Sequence, residues 1–151
     1  MMRARGFSLT EVLVVLAIVG ILASVAYPSY AGYVIRARRT EGQLALIDAM
    51  QKEERYYSQH NTYLAFSRDG DDTDAGAAQL HWYSGASADK SAYEIQAAAC
   101  EGGTLRQCVV LRAIPGTRAV DPAFRDPECG TLSLHSSGER TASGPANGCW
   151  P

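Results

Sequence analysis

MMRARGFSLTEVLVVLAIVGILASVAYP, residues 1–28, is the stretch that decides how this chain is built. From Val12 to Tyr27 every residue except Ser24 is apolar or glycine, yet Glu11 stands at the mouth of the run. A carboxylate in lipid costs on the order of 3 kcal/mol even on lenient insertion scales, so its presence needs a reason. Phe7 to Tyr27, about 21 residues, makes about 31 Å of helix, enough to cross the hydrocarbon core of a bilayer. Tyr27, Tyr30 and Tyr33 follow at three-residue intervals, as an interfacial aromatic belt would. Pro28 sits at the exit, where it is expected to kink the helix or end it.

The rest of the chain sets the compartment. With 151 residues and a formal net charge of −2, it has room for one domain plus the apolar segment, and no bulk affinity for polyanions. Arg3 and Arg5 before the segment are balanced by Arg36, Arg38 and Arg39 after it, so charge alone does not orient it. Cys100, Cys108, Cys129 and Cys149 all lie in the last third, and none forms a C-x-x-C pair. An even set in a small, loop-rich region reads as two disulfides in an oxidising compartment, which puts the C-terminal part outside the cytoplasm. A secretory signal peptide cut after Ala26 is the rival reading of the first residues, but a charge at the start of its apolar core serves no purpose.

Gly6-Phe7-Ser8-Leu9-Thr10-Glu11, followed by the apolar run and AYPSY, resembles the class III signal of the type IV prepilins. The resemblance implies cleavage between Gly6 and Phe7 by a prepilin peptidase and N-methylation of Phe7. Residues 1–6 are then a leader, 7–33 the membrane and assembly half of a long helix, and 34–151 a periplasmic or extracellular head with the helix's second half. Thr10 departs from the pattern, where an apolar residue is more usual. Cleavage also accounts for Glu11. It lies one helical turn from the new Phe7 ammonium and near the positive end of the helix dipole. In a filament, the resemblance implies that Glu11 neutralises the Phe7 amine of a neighbouring subunit, which makes it an assembly residue rather than a catalyst.

Beyond Pro28, Ile35, Leu46, Ile47, Met50 and Tyr57 project onto one arc, with RARRTE and QKEER on the polar face. Helix is predicted from about Ser8 to His60. ERYYSQHNTY resembles the helix exit of the PilE-like branch of the pilin family. SAYEIQAAA and CVVLRAI flank CEGGTLRQ as a hairpin, and GTLSLHSSG alternates with Leu132 and Leu134 on one face. QLHWYSG is expected to add a short edge strand. The fold class is α+β: a long N-terminal helix packed on a small antiparallel sheet of three or four strands. Four cysteines permit three pairings. Cys100–Cys108 would staple the hairpin and leave Cys129–Cys149 to close a second loop, but spacing does not fix this connectivity. CGTLSLHSSGERTASGPANGCW resembles the C-terminal region of PilE-like pilins, where a disulfide closes a surface-exposed loop. The resemblance covers residues 3–60 strongly and 93–151 moderately, while 61–92 looks private to this chain.

Nothing points to an enzyme, a cofactor or a metal. His60, His81 and His135 are scattered outside any nucleophile or ligand motif, and SRDGDDTDAG fails the EF-hand pattern, so it reads as a solvated acidic loop. DNA is a disfavoured partner, because Arg106, Arg112, Arg118, Arg125 and Arg140 alternate with acids along the sequence. The leading expectation is a minor subunit of a type IV pilus acting in assembly, twitching or adhesion. Its implied partners are other major and minor pilins, the peptidase, the inner membrane and the assembly machinery. A pseudopilin of type II secretion and a filament-displayed DNA-binding or adhesive pilin are the alternatives.

Overall fold

The computed structural model describes residues 8–69 and 80–151. Helix α1, Leu9–His60, is followed by strands β1 (Tyr93–Ala99), β2 (Val109–Pro115), β3 (Leu132–His135) and β4 (Arg140–Ala142). The four strands form one antiparallel sheet in the order β1-β2-β3-β4. By contacts the chain divides between Arg36 and Ala37 into two compact units. The first consists of the apolar stretch of α1. The second holds the amphipathic stretch and everything after it.

The helix runs through Pro28 without ending, which corrects one of the two outcomes expected there. Proline removes a single donor, to the carbonyl of Ser24, and the rest of a 52-residue ladder carries the helix past it. At the other end Asn61 adopts φ 55° and donates its N–H to the Tyr57 carbonyl at 2.8 Å. This is the left-handed cap that turns the chain back, with Asn tolerating the conformation better than most side chains.

The turned chain immediately buries Tyr63, Leu64 and Phe66 against α1 and the sheet. On the sheet, Tyr93, Ile95, Ala97, Val109, Leu111, Ala113, Leu132 and Leu134 face the helix at strict two-residue spacing. Leu46 and Ala49 meet them from α1, with Ile47, Met50 and Tyr57 partly buried around them. Gly42 permits a close approach: a Cβ there would come within 2.9 Å of the Tyr93 ring.

The hairpin and β3 lie where the sequence puts them. QLHWYSG does not form a full strand. Instead, Tyr83 bridges Glu94, Phe66 bridges Ala97, and Ile95 N–H donates to the Trp82 carbonyl at 2.7 Å. Two short segments thus share the open edge of β1, a common way to blunt an edge strand. β4 was not foreseen: RTA is three residues long and polar, and only its pairing with β3 makes it a strand.

Candidate functional site

The first unit carries the assembly candidate. Its large apolar side chains, from Leu9 to Val25, are between 45% and 78% exposed. No charged residue occurs between Glu11 and Arg36. The span is long and apolar enough to cross a membrane. Glu11 lies in the first turn of α1, where the helix dipole favours a negative charge. Gly6 and Phe7 lie outside the described residues, as does most of the acidic run after Asp69.

The head is tied together by a polar network that periodicity does not reveal. Arg39 donates two hydrogen bonds of 2.8 Å to Asp126 and a third, also 2.8 Å, to Glu128. The Tyr93 hydroxyl donates to Asp126 at 2.7 Å, and the Cys129 N–H does so at 3.1 Å. Burial pushes the Asp126 carboxyl up, but Arg39, Tyr93 and the Cys129 amide outweigh it and hold the group below its usual range. The same hydrogen bond to Asp126 raises the Arg39 guanidinium, and burial beside Asp126 raises the Tyr93 phenol. One turn along the helix, Gln43 donates to the Cys149 carbonyl at 2.6 Å. Helix, sheet and C-terminal loop thereby share one anchor.

Both disulfides join the pairs the hairpin argument favours, Cys100–Cys108 and Cys129–Cys149. The second closes a loop that contains β3 and β4. Just past it, Trp150 donates its indole N–H to the Thr141 carbonyl at 2.9 Å and lies 5.5 Å beneath the Arg140 guanidinium. On the face turned away from α1, one register row crosses all four strands: Gln96, Arg112, Ser133 and Thr141. It carries hydrogen-bonding groups and no carboxylate. Among the described residues, Arg106, Arg112, Arg118, Arg125 and Arg140 have no carboxylate partner.

Three of the neighbouring acids are engaged elsewhere. Asp126 and Glu128 are held by Arg39, and Glu94 is buried, accepting from Thr117 at 2.5 Å and Gln96 at 3.2 Å. Strand pairing also brings His135 beside the first disulfide, with Nδ1 3.9 Å from Cys100 Sγ. No spacing in the sequence signals that approach, because it depends on the β2–β3 register.

Comparison with known proteins agrees with this architecture. Residues 28–133 match the family model described as type IV minor pilin ComP, DNA uptake sequence receptor. Residues 1–27 match the prokaryotic N-terminal methylation motif. The type IV major pilin protein PilE of Neisseria gonorrhoeae is 39% identical over 74 residues, which is 49% of this chain and 41% of that protein. The major pilin protein PilA of Myxococcus xanthus is 31% identical over 67 residues, 44% of this chain and 30% of that one. The matches thus span less than half the length of these relatives. Among solved structures, the non-core minor pilin PilV of Neisseria meningitidis shares the fold with a TM-score of 0.50 at 20% identity, over 78% of this chain and 94% of that one.

Proposed function

The chain belongs to the type IV minor pilin family of ComP, DNA uptake sequence receptors, and on that premise we propose that it anchors, assembles and binds DNA through separate parts. In this reading the inner membrane holds the subunit through the Phe7–Tyr27 span, with the head in the periplasm. A prepilin peptidase cuts between Gly6 and Phe7, and Phe7 is N-methylated. The assembly machinery then moves the subunit into an extracellular pilus alongside other pilins. The exchange replaces lipid contacts by helix contacts and is nearly neutral in apolar area, which suits a fibre that also disassembles. Glu11 sets the register, since a neighbouring Phe7 ammonium and the Glu11 carboxylate are each costly when buried alone. No catalytic step enters this scheme.

The head is the DNA-binding part, and the observation that carries this is the outward row Gln96–Arg112–Ser133–Thr141, whose one charged member, Arg112, has no carboxylate partner among the described residues. Along the sequence these arginines alternate with acids. In the fold Asp126 and Glu128 turn to Arg39, and Glu94 is occupied by Thr117 and Gln96. What the row presents is one cation among hydrogen-bonding groups, as phosphate contacts require. The test is R112E combined with R118E, expressed in place of the natural chain. Normal pilus numbers with lost DNA uptake, and duplex binding by the full chain in detergent that weakens steeply with salt, support the reading. Unchanged uptake overturns it. Deleting the gene separates the alternatives: loss of filaments marks an assembly role, and loss of exoprotein secretion marks a pseudopilin.

A further inference from the structure

The two disulfides sit in different surroundings. Cys129 and Cys149 are 0% and 4% exposed, sealed beneath the C-terminal loop. Cys100 and Cys108 are half-buried at the base of the β1–β2 turn, most of whose residues between Glu101 and Gln107 are exposed. An attacking thiol can therefore reach one pair and not the other.

The β2–β3 register carries two side chains to the accessible pair. Val110 is opposite His135, and the Ser136 N–H donates to the Val109 carbonyl at 2.9 Å. His135 Nδ1 then lies 3.9 Å from Cys100 Sγ, and Ser136 Oγ lies 3.5 Å from Cys108 Sγ. Both sulfurs and the imidazole nitrogen fall within 4.8 Å of one another. We propose that reduction of Cys100–Cys108 opens a site in which Cys100, Cys108 and His135 bind a thiophilic cation, Zn²⁺ or Cu⁺. This stands independently of whether the head binds DNA.

The geometry is near what such an ion needs. Tetrahedral zinc with bonds of about 2.3 Å to sulfur and 2.0 Å to nitrogen sets ligand separations of about 3.8 Å between sulfurs and 3.5 Å from sulfur to nitrogen. His135 is already within a few tenths of an ångström of that distance from Cys100. Only the sulfurs must part, by rotation of two short side chains whose Cα atoms are 5.5 Å apart. The backbone does not depend on the sulfur bridge: seven register pairs join β1 to β2, and the turn is closed by Gly103 N–H to the Cys100 carbonyl and Cys108 N–H to the Thr104 carbonyl. Two thiolates and one imidazole leave the fourth position of zinc open, and the soft donor pair suits Cu⁺ equally.

The redox step balances with a dithiol as donor. One donor thiolate attacks a sulfur of the pair and expels the other as a thiolate; the second donor thiol then resolves the mixed disulfide. Two electrons pass to the protein, the donor leaves as a disulfide, and protons are conserved. Metal binding afterwards displaces the two thiol protons.

The experiment uses the full chain in detergent micelles, under anaerobic conditions, with a trialkylphosphine as reductant; the phosphine passes two electrons to the disulfide, and water supplies the oxygen of the phosphine oxide and the two thiol protons. Alkylation mapped by mass spectrometry is expected to label Cys100 and Cys108 while Cys129–Cys149 stays joined. Co²⁺ added to a parallel, unalkylated sample of the selectively reduced protein is expected to give a thiolate-to-cobalt charge-transfer band at one ion per chain, bleached by Zn²⁺ and absent from the oxidised protein. H135A is expected to weaken Co²⁺ binding at least about tenfold, on the scale of losses at metal sites. H135N, which keeps a polar side chain, gives a second reading should H135A unfold, with the intact Cys129–Cys149 bond and unchanged circular dichroism as the folding check. Prior opening of Cys129–Cys149, no band in the selectively reduced protein, or equal affinity in folded histidine variants would each overturn the proposal.

Discussion

Arg39 in the long helix and Asp126 in the loop before β3 are joined by two parallel hydrogen bonds of 2.8 Å, with the Asp126 side chain wholly buried. Removing Asp126 leaves Arg39 with Glu128 alone, whose side chain is largely exposed. Asp126→Ala also leaves the Tyr93 hydroxyl and the Cys129 amide without their acceptor. It is expected to cost about 3–5 kcal/mol, read by urea unfolding followed through Trp82 and Trp150 fluorescence. Because Asp126 titrates below its ordinary value in the fold, its contribution is complete above the unfolded pKa of 3.8 and is lost as pH falls through the lower folded value. The wild-type head should therefore lose stability in strong acid, and the Asp126→Ala variant should lose less of what it has.

Glu53 behaves in the opposite sense. It is 0% exposed, one oxygen accepts the Leu64 N–H at 2.9 Å, and the other has no hydrogen-bond partner among the described residues. Burial is the main cause of its rise to about 7, with the charge on Glu54 adding to it and the Leu64 amide opposing it. A raised folded pKa means that stability is fully present below 4.5 and falls as pH rises through about 7. Glu53→Gln keeps the acceptor for Leu64 and removes the ionisation. Its unfolding free energy should exceed that of the wild type above pH 7 by up to about 3 kcal/mol, and the difference should shrink toward pH 5. Equal pH profiles for the two proteins would contradict this account.

These two side chains also mark what the sequence made legible. Apolar periodicity finds Leu46, Met50 and Tyr57 on the helix and alternation finds Leu132 and Leu134 on the sheet, because each follows from burial of oily surface at a fixed repeat. Arg39, Gln43 and Glu53 share the buried face of α1 yet read as polar, so a hydrophobic pattern assigns them to solvent. Their partners lie 87, 106 and 11 residues away, and only the folded chain brings them together. For the same reason His135 read as isolated, and Asp126 read as one more acid interleaved with the arginines although the fold buries it against Arg39. The cysteine pairing was half legible: the hairpin favoured it, and the strand register decided it.

Replacing Cys129 and Cys149 together by serine frees a loop of 20 residues, worth about 3 kcal/mol in the chain-entropy model. The corresponding change at Cys100 and Cys108 frees 8 residues and should cost about 2.5 kcal/mol on the same scale. The larger practical difference should come from the anchor. The Gln43 side chain and Arg39 network hold the base of the longer loop, so its release should also loosen β4 and the Trp150 indole that caps Thr141. Amide exchange at Thr141 and Ser143, whose N–H groups face β3, should accelerate in the Cys129–Cys149 variant and stay slow in the Cys100–Cys108 variant.

Glu11 provides the last test, because membrane insertion and filament assembly place opposite demands on it. In lipid an unpaired carboxylate is a burden of about 3 kcal/mol, so Glu11→Val should insert at least as well as the natural chain. In the proposed fibre the same change would leave a neighbouring Phe7 ammonium without its partner. A few kcal/mol per misfitted subunit corresponds to a loss of about a hundredfold in incorporation. The expected result is normal membrane abundance, an intact mass that starts at methylated Phe7, and near absence from sheared pili. Gly6→Val should instead block processing and retain residues 1–6. A natural chain beginning at Tyr27 would remove both residues from the mature protein, and with them the assembly role assigned to the helix.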